Sequence, residues 1–564
     1  MTTNKRAGLA RGRGGWGALV VLAMLAACGT ESQQYTPLPP TVPHLRMPRN
    51  DLYISSFRPN ALRPTFVWEP ATATVKDPVR YELQLSADKT FETDVVTAET
   101  LTPTFQPDQD LPIATTPPVG RRYYWRVRAC LPLICSDYSP TWWINLGRSK
   151  KDFNGDGYAD VAVATPGFNN GDGRVEVYFG SPGATFDATS DGTLTGDRTG
   201  ELFGYRLAAA EDFNADGFAD LLVGARGIAT GAMTPGRGYL YFGSPGTSFD
   251  PVPDVIFQGT PDESFAAAVA GAGDFNGDGF SDVAIGARSN SARGLYAGRA
   301  YLYYGDADGT LDQADSVLTG EMRLEEFGSG ISSGDLNGDG LSDLVVLASD
   351  FPDEYRAMCA AQVYLGESGS KHSGSRTLSL RHEDFPTCVS IATVAGDINR
   401  DGFTDIVHII NSTNDELLNI HLGRPIPQAT PDVSTARTST PDSRSWNQVA
   451  KVGDINGDGF DDVAIQYYSG PSLRTDVLLG KGLEDGLFSF ALATTIPSGS
   501  AVSLAAAGDV NGDGYDDIIA KVPARPTVYL YFGAAGGTFD ISPDGTLTSQ
   551  TEVSFGEQFA SRAR

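Results

Sequence analysis

Positive charge, thiols and imidazoles are scarce in this chain of 564 residues. Lys and Arg number 42 against 70 Asp and Glu, for a formal net charge of −28. So acidic a chain lacks the Lys/Arg stripe that phosphate backbones require, which excludes nucleic acid as a partner. The five histidines, His44, His372, His382, His408 and His421, include no His-Glu-x-x-His pair, so the zinc-hydrolase signature is missing. One Gly-x-Ser-x-Gly string, Gly330 to Gly334, sits in a strand pattern, not on the strand-turn-helix elbow a nucleophile needs. No phosphate-cradling glycine loop opens a helix. Beyond the first 28 residues no apolar run reaches the ~18 residues of a membrane span. What is abundant is glycine (65) and proline (34), with 41% apolar residues. That composition suits a turn-rich all-β protein with real cores, and the length calls for two or more domains.

Residues 1–27 carry Lys5, Arg6, Arg11 and Arg13 and no acid, followed by the apolar run from Trp16 to Ala27. They read as a signal peptide. Leu25-Ala26-Ala27-Cys28 resembles a bacterial lipobox. The resemblance implies cleavage before Cys28 and lipidation of that residue. It also implies an exported protein anchored by lipid to the outer membrane or cell surface, since Gly29 is not the Asp that signals inner-membrane retention. Residues 28–45, rich in Thr, Gln, Ser and Pro, read as a tether. Export places Cys130 and Cys135 in oxidising surroundings, so they are expected to form a short-loop disulfide. Cys359 and Cys388 either form a second bridge or stay as buried thiols.

Residues 46–147 alternate apolar and polar side chains in Phe66-Val67-Trp68, Tyr81 to Ser86 and Tyr123 to Ala129. This period of two marks half-buried strands of a small β-sandwich. The pattern resembles a fibronectin type III domain, with Trp68 as its core tryptophan and a last strand leading into Trp142. The aromatics are expected in the core, and the domain is expected to act as a spacer or docking module.

The string Asp-x-Asn-x-Asp-Gly-x-x-Asp then occurs seven times, at spacings of 60, 62, 61, 62, 57 and 55 residues. A period of this kind marks a repeat architecture. Apolar runs such as Leu221 to Ala225 follow each loop, and aromatic segments ending in glycine, such as Tyr239 to Gly243, come later. About 60 residues with four short strands make one propeller blade. The expected fold is therefore all-β: a sandwich followed, over 148–564, by a seven-bladed β-propeller. The chain ends Ser554-Phe555-Gly556-Glu557-Gln558-Phe559-Ala560, like the Phe203-Gly204 segment of the second copy. A C-terminal strand over 553–561 is thus expected to complete the first blade and leave no open edge.

Oxygen acceptors at positions 1, 3 and 5 of the loop, the carbonyl of position 7 and the carboxylate of position 9 form an all-oxygen set. Glycine at position 6 supplies the left-handed backbone of the turn. Such a set suits Ca²⁺. The candidate ligands are Asp152, Asn154, Asp156, Tyr158 and Asp160; Asp212, Asn214, Asp216, Phe218 and Asp220; and Asp274, Asn276, Asp278, Phe280 and Asp282. The fourth and fifth loops supply Asp335, Asn337, Asp339, Leu341 and Asp343, and Asp397, Asn399, Asp401, Phe403 and Asp405. The last two supply Asp454, Asn456, Asp458, Phe460 and Asp462, and Asp509, Asn511, Asp513, Tyr515 and Asp517. These carboxylates account for most of the net charge. An EF-hand is ruled out, because position 12 is apolar and a strand follows where a helix should be.

The loop-then-strand unit resembles the FG-GAP repeat of integrin α-subunit propellers. It departs from that pattern in two ways: Gly-Ala-Pro reads Gly224-Ala225-Arg226 and Gly286-Ala287-Arg288, and Phe-Gly is lost in the fifth to seventh copies. The resemblance implies up to seven mainly structural calcium ions. It points to a non-enzymatic, surface-anchored binding or adhesion module for a protein or polysaccharide, expected to be monomeric. The competing expectations are an envelope hydrolase with a site in the propeller channel and a periplasmic assembly scaffold.

Overall fold

The computed structural model describes residues 38–548 and Gln558–Phe559, apart from residues 59, 75, 184, 228–233, 308–312, 349–359, 370, 382–387, 413–414, 439–443, 470–471, 483–489, 498–502, 522–526 and 537–541. The signal peptide, Cys28 and the start of the tether lie outside the described residues, as does Cys359 and with it the question of a bridge to Cys388. The end of the expected tether lies along the first domain, where the Thr41 N–H donates to the Thr72 carbonyl at 2.9 Å.

The N-terminal unit has two sheets. Leu45–Met47, Phe66–Trp68 and Thr104–Phe105 form the smaller one. The larger runs Leu52–Ile54, Trp142–Leu146, Arg121–Leu131, Arg80–Ser86 and Val96–Thr100, with Ile134–Cys135 paired to the end of the longest strand. That strand alternates between half-exposed and buried side chains from Arg122 to Ala129, as a half-buried strand should. Phe66, Trp68, Tyr81, Trp125, Val127 and Trp142 meet in one core. The Trp125 ring lies edge-on to Phe66 and to Trp142, at 5.0 and 5.9 Å between centroids. Cys130 and Cys135 are disulfide-bonded across the hairpin.

The rest of the described chain folds into seven four-stranded antiparallel sheets. The second is typical: Phe203–Glu211, Asp220–Ala225, Arg237–Tyr241 and Val255–Gln258, in sequence order. Its second strand is buried at every residue, because both of its faces are covered by neighbouring sheets. Seven apolar clusters fill the gaps between consecutive sheets. The seventh cluster packs Ala505, Ile519 and Leu530 against Ala159, Val161 and Tyr178, and so joins the last sheet to the first. The first sheet draws on both ends of the repeat region: Gln558–Phe559 pairs with Val163 and Ala164 of Val161–Thr165.

The phenylalanines of the Phe-Gly motif are buried in the sheets that keep them. Phe203 and Phe327 set their rings edge-on to Tyr239 and Tyr364, at 5.2 and 5.9 Å between centroids. Phe265 holds the same place against Tyr301, at 5.5 Å, although alanine follows it instead of glycine. Ala266 adopts the left-handed backbone there, at φ +59°, that Gly204 and Gly328 adopt in their sheets.

Candidate metal centres

Six of the acidic loops follow the end of the first strand of a sheet, and all seven lead into the second; the first loop leads into Val161–Thr165, whose inner neighbour is Gln558–Phe559. In the first loop, Asp152 accepts N–H bonds from Asp156 on Oδ1 (3.0 Å) and from Gly157 on Oδ2 (2.8 Å). The Asn154 amide donates to Asp156 Oδ2 at 2.9 Å, and Asp156 Oδ1 accepts from the Tyr158 N–H at 2.9 Å. The turn needs glycine at position 6, where φ lies between +89° and +100° in all seven loops. Position 4 is also left-handed. Five copies place glycine there, and Ala215 and Arg400 take φ +57° and +58°. The recurrence of that fourth-position glycine was readable in the sequence and marked a second backbone requirement.

Position 9 has a role that spacing alone did not show. Asp160 Oδ2 accepts from the Phe153 N–H at 2.6 Å, and Oδ1 accepts from the Gly180 N–H at 2.9 Å. The same two bonds recur at Asp220, Asp282, Asp343, Asp405, Asp462 and Asp517. The carboxylate therefore ties its own loop to the glycine that ends the third strand. This explains why those aromatic segments end in glycine: a Cβ at Gly180 would lie 2.3 Å from the Ala159 carbonyl oxygen.

The loops are also joined to one another. The position-8 N–H of each loop donates to the position-1 carbonyl of the loop before it, as from Ala219 to Asp152 and from Ser342 to Asp274, both 2.9 Å. The series closes where the Ala159 N–H donates to the Asp509 carbonyl at 2.9 Å. In the sixth and seventh loops position 8 is itself an aspartate, and its carboxylate also takes the N–H of the preceding loop: Asp397 to Asp461 and Asp454 to Asp516, both 2.8 Å.

Burial and mutual repulsion act on the carboxylates of these loops. Burial, and after it the charge of the position-5 neighbour, push Asp152, Asp274 and Asp335 up to about 7. Burial and the position-1 carboxylate raise Asp220 and Asp343 well above the ordinary range. All donors are oxygens, the chemistry that hard divalent ions prefer. Among the described residues, however, no three Asp, Glu, His or Cys side chains converge on one point. Position 9 could join a shell only by sharing oxygens already bonded to backbone N–H groups, which the second lone pair of each oxygen allows. The residues fit an oxygen-bound cation in type.

The N-terminal unit lies on this same face of the ring. Arg58 donates to the Asp454 carboxylate at 2.7 Å and to the Gly514 carbonyl at 2.6 Å. Arg122 stands 3.8 Å from Asp212, as does Arg148 just past the end of the unit. Ser55 donates to Asp509, Lys89 to the Asp278 carbonyl at 2.8 Å, and Asn50 to the Gly340 carbonyl. Arg46 covers the Phe403 ring at 4.5 Å and Phe57 stacks on Tyr158 at 4.8 Å. All seven loops are thereby touched by the first domain, an interface that no motif in the sequence announced.

A cavity of about 580 Å³ lies between that domain and the inner strands, lined by Tyr53, Lys150, Leu207, Val269, Lys451 and Asp461, among others. Two of its acids, Glu211 and Asp461, are matched to cations. Lys150 stands 2.6 Å from Glu211 and 3.7 Å from Asp51, and Arg49 and Lys451 stand 3.4 and 3.3 Å from Asp461. The serines of the Gly-x-Ser-x-Gly string bridge sheets: Ser333 donates to the Gly271 carbonyl at 2.8 Å, and Ser332 accepts the Val394 N–H at 3.1 Å.

Residues 152–223, 212–285, 274–346 and 454–520 match the FG-GAP-like repeat family. Rat integrin alpha-7 is 34% identical over 155 residues, 27% of this chain and 13% of its own length. These matches support an integrin-like β-propeller. Rat phosphatidylinositol-glycan-specific phospholipase D is 30% identical over 194 residues, 31% of this chain and 23% of its own. The chain thus spans a small part of the relatives it matches. Among solved structures, the Dos1 propeller is similar over 65% of this chain and 75% of its own, at 13% identity and a TM-score of 0.36. The Bacillus licheniformis rhamnogalacturonan lyase PL11 is similar over 88% of this chain and 70% of its own, at 12% identity and a TM-score of 0.25. At those scores neither likeness bears on function.

Proposed function

We propose that this chain is a calcium-stabilised, non-catalytic binding or adhesion module. In this reading it is lipid-anchored through Cys28 at the outer membrane or cell surface and recognises a protein or polysaccharide. The seven sheets are the blades of a seven-bladed propeller over 148–564, closed by the C-terminal strand, and 46–147 is a fibronectin type III-like sandwich. The observation that carries the reading is the ring of acidic loops. Each is bonded to the next, and each holds buried carboxylates that repel one another. Calcium there would neutralise that repulsion and so link metal binding to folding. The integrin-type repeats support a binding role over a catalytic one.

The cavity favours a second reading, an envelope hydrolase acting inside the channel. Against it stands the pairing of the cavity acids Glu211 and Asp461 with lysine and arginine, which leaves neither placed as a free acid–base pair.

The test is binding of residues 29–564 to isolated cell envelopes and to a polysaccharide panel, in calcium and in chelator, with circular dichroism of each sample. Calcium-dependent binding to one defined material supports the module. A folded, calcium-loaded protein that binds nothing but hydrolyses an envelope polymer overturns it in favour of the enzyme.

A further inference from the structure

The two Gly-Ala-Arg departures from the repeat pattern fall at corresponding ends of neighbouring sheets. Asp212 follows the end of Phe203–Glu211, so the Phe203 end of that strand lies on the face away from the acidic loops. Asp220–Ala225 and Asp282–Ala287 start at their loops and finish on that same far face, where Arg226 and Arg288 follow. The N-terminal unit occupies the opposite face, through its contacts with the loops.

At this far end the register between the first two strands of the second sheet slips between Phe203 and Arg206. Gly204, at φ +79°, and Tyr205 are the extra residues, a bulge of the kind that re-aims a side chain. The Arg206 guanidinium lies 4.5 Å from the centre of the Tyr205 ring and Arg226 lies 4.7 Å from it. Arg226 also donates to the Tyr205 hydroxyl at 3.2 Å, and Arg206 donates to the Tyr205 carbonyl at 2.9 Å. Burial alone would raise the Tyr205 phenol, yet the charges of Arg206, Arg226 and Arg288 outweigh it and hold the phenol below its ordinary value. Glu326 stands 3.5 Å from Arg288.

Neither the aromatic nor the charges are needed to build the bulge. The third sheet makes the same slip between Phe265 and Ala268, with Ala266 and Ala267 as its extra residues. A chain of net charge −28 here sets two guanidinium groups on one tyrosine ring, with the charge of a third, Arg288, reaching the same phenol.

We propose that Arg206 and Arg226, held on Tyr205, form together with the charge of Arg288 an oxyanion site that takes a carboxylate or sulfate group. Guanidinium forks match such planar or tetrahedral oxygens through paired, charge-assisted bonds. Arg226 uses one of its five donors on Tyr205 and can aim others outward. The tyrosine ring holds two of the guanidinium groups in place, which lowers the entropy lost on binding. The oxyanion is either a free small ion or a group borne by an acidic polysaccharide. Only the second source rests on the reading of this protein as a binding module.

The test uses the full mature chain, loaded with calcium, in two arms. The first is calorimetric titration with sodium sulfate. The second is gel retardation by a polyuronate and by a sulfated polysaccharide, with a neutral glucan as control. The variants are Arg226→Gln with Arg288→Gln, and Arg226→Lys, each checked by thermal melting. The proposal expects oxyanion binding in at least one arm, weakened about tenfold or more by the double variant. It expects a smaller loss in Arg226→Lys, which keeps the charge and loses the fork. Binding in the sulfate arm alone supports the site and counts against the polysaccharide as its ligand. Equal binding by wild type and folded double variant overturns the site while leaving the module reading intact. No oxyanion binding in either arm, or equal retardation by the neutral glucan, also overturns it.

Discussion

Arg58 of the first domain places its Nη1 2.7 Å from Oδ2 of Asp454, 396 residues further along the chain. The same guanidinium donates to the carbonyl of Asp454 at 3.2 Å and to that of Gly514 at 2.6 Å. One side chain thus bridges the first domain, the sixth acidic loop and the seventh. Asp516, 3.7 Å away, joins the group. A domain that reads in the sequence as a spacer or docking module is, in the folded chain, held by charge against the acidic face of the ring.

Truncation of Arg58 should therefore be felt in both domains. Asp454 is largely buried, and losing its guanidinium partner leaves a buried charge uncompensated. Arg58→Met is expected to cost about 2 kcal/mol, reduced from a fully buried pair because the arginine is partly exposed. A double-mutant cycle with Asp454→Asn, followed by urea unfolding in chelator, measures the coupling. A coupling energy near zero would mean that the contact is incidental to docking.

Acid should stabilise the metal-free ring. Asp152, Asp274 and Asp335 are pushed up to about 7, first by burial and then by a neighbouring carboxylate. A group with a raised folded pKa holds its proton more tightly in the folded state. Its contribution is present below the unfolded value of about 4 and is lost as pH rises through about 7. Chelated protein is thus expected to be more stable at about pH 5.5 than at about pH 8. Saturating calcium, which needs the ionised form, should raise stability more at the higher pH. Melting curves at both pH values, with and without calcium, check this. A calcium increment that is the same at both would remove these carboxylates from the metal sites.

The two kinds of aspartate within a loop should separate on substitution. Asp282 accepts from the Gly305 and Phe275 N–H groups, both at 2.9 Å. Asp282→Ala leaves two buried donors unmet, at a cost of about 3 kcal/mol that calcium does not restore. Asp278 is the other kind, with a role at the turn itself. Asp278→Asn should leave the chelated protein near wild type and weaken calcium binding. Stability in chelator, paired with calcium titration of both variants, distinguishes the roles. Equal losses in chelator would show that position 5 is structural too.

How much of this was legible depends on what sequence periodicity can report. The seven loops, their following apolar strands and the aromatic strands ending in glycine are local patterns, and the sheets lie where those patterns put them. Trp68, read as a core residue, is buried. The second duty of position 9 was hidden because its partner, the glycine ending the third strand, lies up to 23 residues away. The contacts of Arg58, Arg122 and Lys89 with the loops were hidden for a stronger reason: they join domains with no shared period. The Arg226 departure was visible, but the fold alone brings it to Tyr205 beside Arg206.

The ends of the repeat region meet in the first sheet, and this gives the sharpest test of the architecture. Gln558 and Phe559 pair with Ala164 and Val163. The pairing supplies the innermost strand that no residue before Asp152 provides, and the other sheets each take theirs from their own repeat. Deleting residues 551–564 would expose the ladder edge of Val161–Thr165 and uncover the clusters on either side of it. Because every loop is bonded to the next around the ring, the damage should not stay in one sheet. A melting temperature lower by about 5–10 °C, in one transition, is expected if a few kcal/mol are lost from a cooperative ring. A truncated protein that melts like the full chain would show that the strand closes nothing. Two separated transitions would show that the sheets unfold as independent units, with the loop-to-loop bonds too weak to couple them.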